Sequence, residues 1–173
     1  MILEGFGITL TPLQESEIEL VRFWRNSDEI KRYALQQETI SQEQQRQWFA
    51  SLQKKEDEYF IIRIGSTPVG LIWFNRSDTD IETGFYIYDT SRQNTLTPYK
   101  IVTLFHRYLF EEKGFERIGC KIMHNNLRAV RFNLSLGYRE SEICASYNRY
   151  ELSRDEYRRA NAKISKLLLK ESA

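Results

Sequence analysis

Residues 80–114 read DIETGFYIYDTSRQNTLTPYKIVTLFHRYLFEEKG, and this stretch decides the fold. Its first part alternates with a period of two. Ile81, Thr83, Phe85 and Ile87 share one face, and Glu82, Gly84, Tyr86 and Tyr88 share the other, as in a strand. A polar stretch, Asp89 to Thr97, follows. The period then changes to that of a helix. Pro98 suits the first turn, Ile101, Leu104, Phe105, Tyr108 and Leu109 form one apolar stripe, and Gly114 ends it. A strand that feeds a helix through a polar turn belongs to a layered α/β architecture.

Working upstream, Val69 to Phe74 and Tyr59 to Ile64 are nearly continuous apolar runs separated by Gly65-Ser66-Thr67-Pro68, and they predict an antiparallel hairpin buried on both faces. Ser41 and Gln44 have capping-box spacing at the start of a helix carrying Gln45, Trp48, Phe49 and Leu52. Glu15 to Asn26 predicts an earlier helix with Leu20, Phe23 and Trp24 on one face, and Gly7 to Leu13 a first strand. Downstream, Arg117 to Met123 predicts a strand and Asn126 to Leu136 a short helix closed by Gly137. Tyr138 to Tyr147 and Arg149 to Leu152 predict two further strands. Ser153 and Glu156 then cap a last helix whose Tyr157, Ala160, Ile164, Leu167 and Leu168 should dock on the body. The expected order is β-α-α-β-β-β-α-β-α-β-β-α. This is an α/β (α+β) fold, one domain over residues 1–173 with a mixed, mostly antiparallel sheet and a C-terminal helix over 153–173. No strand–Gly-x-Gly-x-x-Gly–helix occurs, which excludes a doubly wound dinucleotide fold.

Composition narrows the function classes. Lys and Arg total 25 against 24 Asp and Glu, a net charge of +1, so no broad field attracts nucleic acid or an anionic membrane. No apolar run reaches the roughly 20 residues of a membrane span. Glu4 and the absence of early basic residues are unlike a secretory leader. Cys120 and Cys144 sit in strand-like segments and read as reduced, packed thiols of a cytoplasmic protein. His106 and His124 have no ligand partners at metal spacing, so no metal is expected.

Five segments carry a family resemblance: Phe23-Trp24-Arg25-Asn26, Ile40-Ser41 through Trp48-Phe49, Pro68-Val69-Gly70, Ile81 through Ile87, and Asn126-Leu127-Arg128-Ala129 running to Gly137-Tyr138. Together they resemble the GNAT N-acetyltransferases over about Thr9 to Leu152. The branch is the one with ribosomal-protein N-terminal acetyltransferases and the UDP-amino-sugar N-acetyltransferase of pseudaminic acid synthesis. The resemblance implies acetyl-CoA as co-substrate and transfer of its acyl group to a primary amine in a ternary complex. The acceptor would be an amino sugar nucleotide, another small amine or a protein N-terminus. It implies that the fourth and fifth expected strands splay apart, with the backbone of Phe85, Tyr86 and Ile87 holding the pantetheine arm. It implies pyrophosphate at Arg92, Asn94, Thr95, Leu96 and Thr97, with Asn126 and Ala129 beside the cofactor.

Three positions depart from the family's pattern, two in the loop and one in the helix. The two glycines of its pyrophosphate loop are Thr95 and Thr97, and the usual tyrosine acid is Asn133, which can hydrogen-bond but cannot act as an acid. These changes leave a second reading open, a ligand- or partner-binding protein of this fold without catalysis. Amine acylation needs a base, and Glu82 is the candidate, with burial raising its pKa; the competing reading is a strand Glu paired with a Lys or Arg. Asn126 also suits a helix N-cap. Trp24, Arg25, Asn26, Trp48 and Tyr147 are the expected acceptor-lining residues. A homodimer through sheet edges or the last helix is a further expectation.

Overall fold

The protein is described from a computed structural model covering residues 1–52, 55–77 and 80–171. Its strands are β1 (Leu3–Gly5), β2 (Ile8–Pro12), β3 (Glu58–Ile64), β4 (Thr67–Arg76), β5 (Ile81–Ile87), β6 (Arg117–Met123), β7 (Arg139–Ile143) and β8 (Tyr147–Ser153). Its helices are α1 (Ile18–Asn26), α2 (Asp28–Lys31), α3 (Gln42–Leu52), α4 (Thr97–Arg107), α5 (Leu127–Ser135) and α6 (Arg154–Glu171). One eight-stranded sheet runs in the order β1-β2-β3-β4-β5-β6-β8-β7. Each neighbouring pair is antiparallel except β5 with β6, which is parallel. The expected mixed, mostly antiparallel α/β class is therefore the observed one.

Both faces of the sheet are covered, which is why β3 and β4 are apolar on consecutive residues rather than alternate ones. Phe60 and Ile62 face a core formed with α4, α5 and α6, while Ile61 and Leu71 face a second core under α1 and α3. In α4 the stripe read from the sequence is fully inside: Ile101, Leu104, Phe105 and Leu109 are all buried. The helix passes into a π turn over Tyr108–Glu112 before Gly114 ends it at φ +75°. Both capping boxes form. The Ser41 amide donates to Gln44 Oε1 at 2.8 Å, and the Ser153 amide donates to Glu156 Oε2 at 3.1 Å.

Several expectations shift. Leu3–Gly5 adds a strand, because Phe6-Gly7 makes a two-residue turn with both φ positive and folds β1 back on β2. The first helix begins at Ile18, so its inward face is Ile18, Val21 and Trp24, and Phe23 turns outward against Tyr88. In α3 the most buried side chain is a polar one: Gln45 Nε2 donates to the Ile18 carbonyl at 3.0 Å and ties α3 to α1. The hairpin turn narrows to Gly65-Ser66, with Ile64 opposite Thr67. The β7–β8 hairpin turns within residues 144–146, earlier than expected. Residues 172–173 of the expected last helix lie outside the described residues.

Gly70 sits where β4 passes closest to β5. A Cβ there would lie 2.2 Å from the Tyr86 carbonyl oxygen, a backbone atom that cannot rotate away. Gly70→Ala is expected to lower stability by about 1–3 kcal/mol in urea unfolding. An unchanged midpoint would mean that the β4–β5 ladder tolerates the displacement.

Candidate active site

β5 is bonded to β4 along all seven of its residues, but it meets β6 at one register position, Glu82 opposite Gly119. The Thr83 hydroxyl donates to the Gly119 carbonyl at 3.1 Å beside that contact. Beyond it the two strands separate. Backbone direction alternates along a strand. The Tyr88 amide donates to Val69 of β4, so Tyr86 and Gly84 also spend their backbone groups on β4. Phe85 and Ile87 point their N–H and C=O groups into the gap, where the Ile87 carbonyl accepts the Gln93 side-chain amide at 2.8 Å. Phe132 of α5 stands beneath, against Phe85 at 5.7 Å and Tyr99 at 4.9 Å between ring centroids.

A cavity of about 630 Å³ passes through this gap. Its wall includes Phe85, Val102 and Phe132 from one core and Trp48, Tyr59, Trp73 and Tyr86 from the other, so it crosses the sheet. On the first side it reaches Gln93, Pro98, Asn126 and Ala129 at the ends of α4 and α5. Asn126 caps α5, its Oδ1 accepting from the Ala129 amide at 3.2 Å. The loop into α4 is built from its own side chains. Asp89 accepts from the Ser91 hydroxyl at 2.6 Å and pairs with Arg92 at 2.8 Å. The Ser91 hydrogen bond is the first cause holding the Asp89 carboxyl below its usual range, with Arg92 contributing. Neither Thr95 nor Thr97 has a positive φ, so threonine in place of glycine is unstrained here. The Thr95 hydroxyl donates to the Arg92 carbonyl at 2.7 Å and accepts from the Thr97 amide at 3.1 Å. Among the described residues, the amides of Asn94, Thr95, Leu96 and Tyr99 keep their hydrogens free of protein partners. Four donors at a helix start suit an anion.

The proposed base is not the buried acid that the sequence suggested. Glu82 lines the cavity with its side chain 33% exposed, and Lys121 Nζ of β6 lies 2.6 Å from its Oε2. That hydrogen bond is the first cause raising the Lys121 ammonium above its ordinary range. Lys121 also lies 5.8 Å from the centre of the Tyr147 ring, which places Tyr147 behind the ion pair and outside the cavity wall. Asn133 lines the cavity, but its amide is engaged. Nδ2 donates to the Ala129 carbonyl at 2.9 Å, and Oδ1 accepts from the Cys120 thiol at 3.7 Å. Burial pushes Cys120 up to about 12, so it stays a neutral thiol.

On the second side of the sheet, Arg25 and Trp48 are on the cavity wall. Trp24 is not. It is 2% exposed, stacked on Tyr88 at 5.8 Å within the core. Asn26 is also structural, holding both backbone groups of Ile40 at 2.8 and 2.9 Å. Sequence reasoning did not single out Tyr59, Lys121 or the pair His106–Tyr138. Tyr59 stacks on Trp73 at 5.8 Å and 6° between planes, and burial raises its hydroxyl to about 12. Gly84 lies opposite Trp73 in the β4–β5 pair, and a Cβ there would come within 2.3 Å of the indole ring. Among the described residues no cluster of His, Cys, Asp or Glu could hold a metal, and no helix is long and apolar enough to cross a membrane.

A family model described as an acetyltransferase (GNAT) domain matches residues 8–139. The chain belongs to the GNAT family. No curated protein sequence matches it. Three solved structures share its fold at low identity. One is a domain from Methanocaldococcus jannaschii (22% identity, 84% of this chain and 97% of that one, TM-score 0.75). Another is apo FdhC, a nucleotide-linked sugar GNAT (17%, 97% and 98%, TM-score 0.81). A third is the aminoglycoside acetyltransferase AAC(6')-Ib with ribostamycin and coenzyme A (15%, 88% and 96%, TM-score 0.77).

The cavity floor holds a titratable pair. His106 Nε2 lies 3.0 Å from the Tyr138 hydroxyl, and both rings are buried. Burial lowers the His106 pKa from 6.5 to about 3. The unfolded chain therefore binds a proton between those values that the folded protein refuses. Stability from this group is full above pH 6.5 and is lost as pH falls toward 3. His106→Gln, which retains a hydrogen-bonding side chain, is expected to flatten the acid-side decline by about 1 kcal/mol per pH unit at most. Urea midpoints of both proteins from pH 7 to 4 check this; parallel curves would remove His106 as the source.

Proposed function

We propose that the protein is an acetyl-CoA-dependent N-acetyltransferase acting on the primary amine of a small molecule. The observation that carries this reading is the single-residue contact between β5 and β6, which lets one cavity cross the sheet. The free amides at the start of α4 offer a place for the pyrophosphate, and the outward backbone of Phe85 and Ile87 a place for the pantetheine arm. Neighbouring structures of this fold contain coenzyme A, among them AAC(6')-Ib, which supports the same co-substrate here. Arg92 stands at the same loop, its Nε held by Asp89 at 2.8 Å.

Acetyl-CoA supplies an activated acyl group as a thioester. The residues of the chain do the rest. The Phe85 amide is the donor that faces the oxygen on which negative charge develops. Glu82, ion-paired with Lys121, accepts the amine proton directly or across one water. The amine nitrogen then forms the new C–N bond, and the C–S bond breaks. Asn133 offers no proton, so the departing thiolate leaves as such or takes one from water. The aromatic walls on the second side favour a compact ring-bearing acceptor over a peptide N-terminus. Two free cysteines fit a cytoplasmic protein. The engaged side chain of Asn133 favours the second reading, binding without turnover, and the two readings part on measurement.

Isothermal titration with acetyl-CoA is expected to give micromolar affinity, with ADP weaker. No heat up to millimolar would overturn the reading. Glu82→Gln is expected to lower thiol release at neutral pH roughly 10²-fold while acetyl-CoA still binds. A mutant with an unchanged pH–rate profile would take Glu82 out of the mechanism.

A further inference from the structure

The acceptor half of the cavity contains a charge without a counterpart. Arg25 is half-buried on α1 and lines the wall, and among the described residues it makes no ion pair and no hydrogen bond. Its guanidinium lies near enough to the Tyr59 and Tyr86 hydroxyls to oppose the rise that burial gives both. The Tyr86 hydroxyl is itself buried with no partner. Glu29, at the start of α2, lines the same wall but is exposed and does not pair with Arg25. The other ionic groups of the cavity are engaged: Glu82 with Lys121, and Arg128 with Gln93. A half-buried guanidinium is costly to leave unpaired, and its planar fork fits phosphate or carboxylate oxygens in pairs.

Around this cation the wall is aromatic. Trp48 meets Tyr59 edge-on at 5.0 Å, and Tyr59 stacks on Trp73. Asn75 Oδ1 accepts from the Tyr59 hydroxyl at 2.7 Å, and among the described residues the Asn75 amide hydrogens carry no partner. Flat apolar faces, free amide donors and one unpaired guanidinium select a hydroxylated ring that carries an anion. They disfavour a polycation such as an aminoglycoside, whose ammonium groups would meet Arg25.

We propose that Arg25 is the anion-binding residue of the acceptor site, and that the acceptor is an amino sugar bearing a glycosyl phosphate. The sugar ring lies against Trp48, Tyr59 and Trp73, and a phosphate oxygen pair sits on the guanidinium. The inference rests on the acyltransfer reading above for the amine, but its binding test does not use the reaction.

Trp48 and Trp73 line the site, so their fluorescence reports occupancy without acetyl-CoA. Glucosamine, glucosamine 1-phosphate and UDP-glucosamine are titrated into the wild type, Arg25→Gln and Arg25→Lys. A phosphorylated sugar is expected to bind more tightly than glucosamine. Arg25→Gln should weaken that binding roughly 30-fold or more, with Arg25→Lys recovering part of it and glucosamine unaffected. Tighter binding of glucosamine 1-phosphate or of UDP-glucosamine tells whether the phosphate arrives free or nucleotide-linked; either supports the proposal. Equal binding of all three sugars, equal loss in Arg25→Gln for all three, or no response to either phosphorylated sugar overturns it. Failure of the acyltransfer reading appears separately, in the acetyl-CoA titration. Unchanged melting temperatures would show that the variants are folded.

Discussion

The arrangement depends on one backbone constraint: β5 gives its hydrogen bonds to β4 and shares a single register position with β6. A parallel pair in mid-sheet is normally zipped along its length, since unpaired strand backbone is costly to bury. Here it is unzipped above Glu82, and the cost is offset locally. Gln93 satisfies the Ile87 carbonyl, and Phe132 fills the space beneath Phe85. The two halves of the sheet are each held firmly, β6 to β8 over seven residue pairs as β5 is to β4. The gap is thus a rigid feature between two rigid wings, which is what a site needs if donors are to stand in place before a ligand arrives.

Charge in the cavity follows from the same geometry. Because β5 and β6 still touch at Glu82, the next residues of β6 bring Lys121 beside it. The acid at the narrow point of the gap is therefore an ion-paired carboxylate rather than an isolated buried acid. On the far side, α1 presents Arg25 into an aromatic surround where, among the described residues, it forms no ion pair. The engaged pair suits proton transfer, and the unengaged cation suits recognition.

The altered loop before α4 has a physical solution that glycine would not have offered. Thr95 bonds the Arg92 carbonyl and the Thr97 amide, closing the turn with a side chain in place of backbone freedom. The loop loses the Thr97 donor and, at Pro98, has none, yet four neighbouring amides remain open. The likeness to FdhC and AAC(6')-Ib, at 17% and 15% identity, is one of fold.

The sequence by itself determined most of the elements and the class of protein. Period-two alternation in 80–88, the α4 stripe and both capping boxes are local patterns, and local patterns survive folding because each is satisfied within a few residues. The same holds for Asn126 as a cap. Which aromatic residues face the cavity was not legible. Trp24 and Trp48 look alike in sequence, but helix phase buries the first and exposes the second to the site. Tyr59, Lys121 and the His106–Tyr138 pair owe their positions to register across strands and to packing between distant segments, where a one-residue shift reverses a side chain. Only the tertiary structure could decide that Glu82 would meet a lysine and that Arg25 would meet aromatic rings and, among the described residues, no carboxylate partner, since both outcomes depend on segments far along the chain.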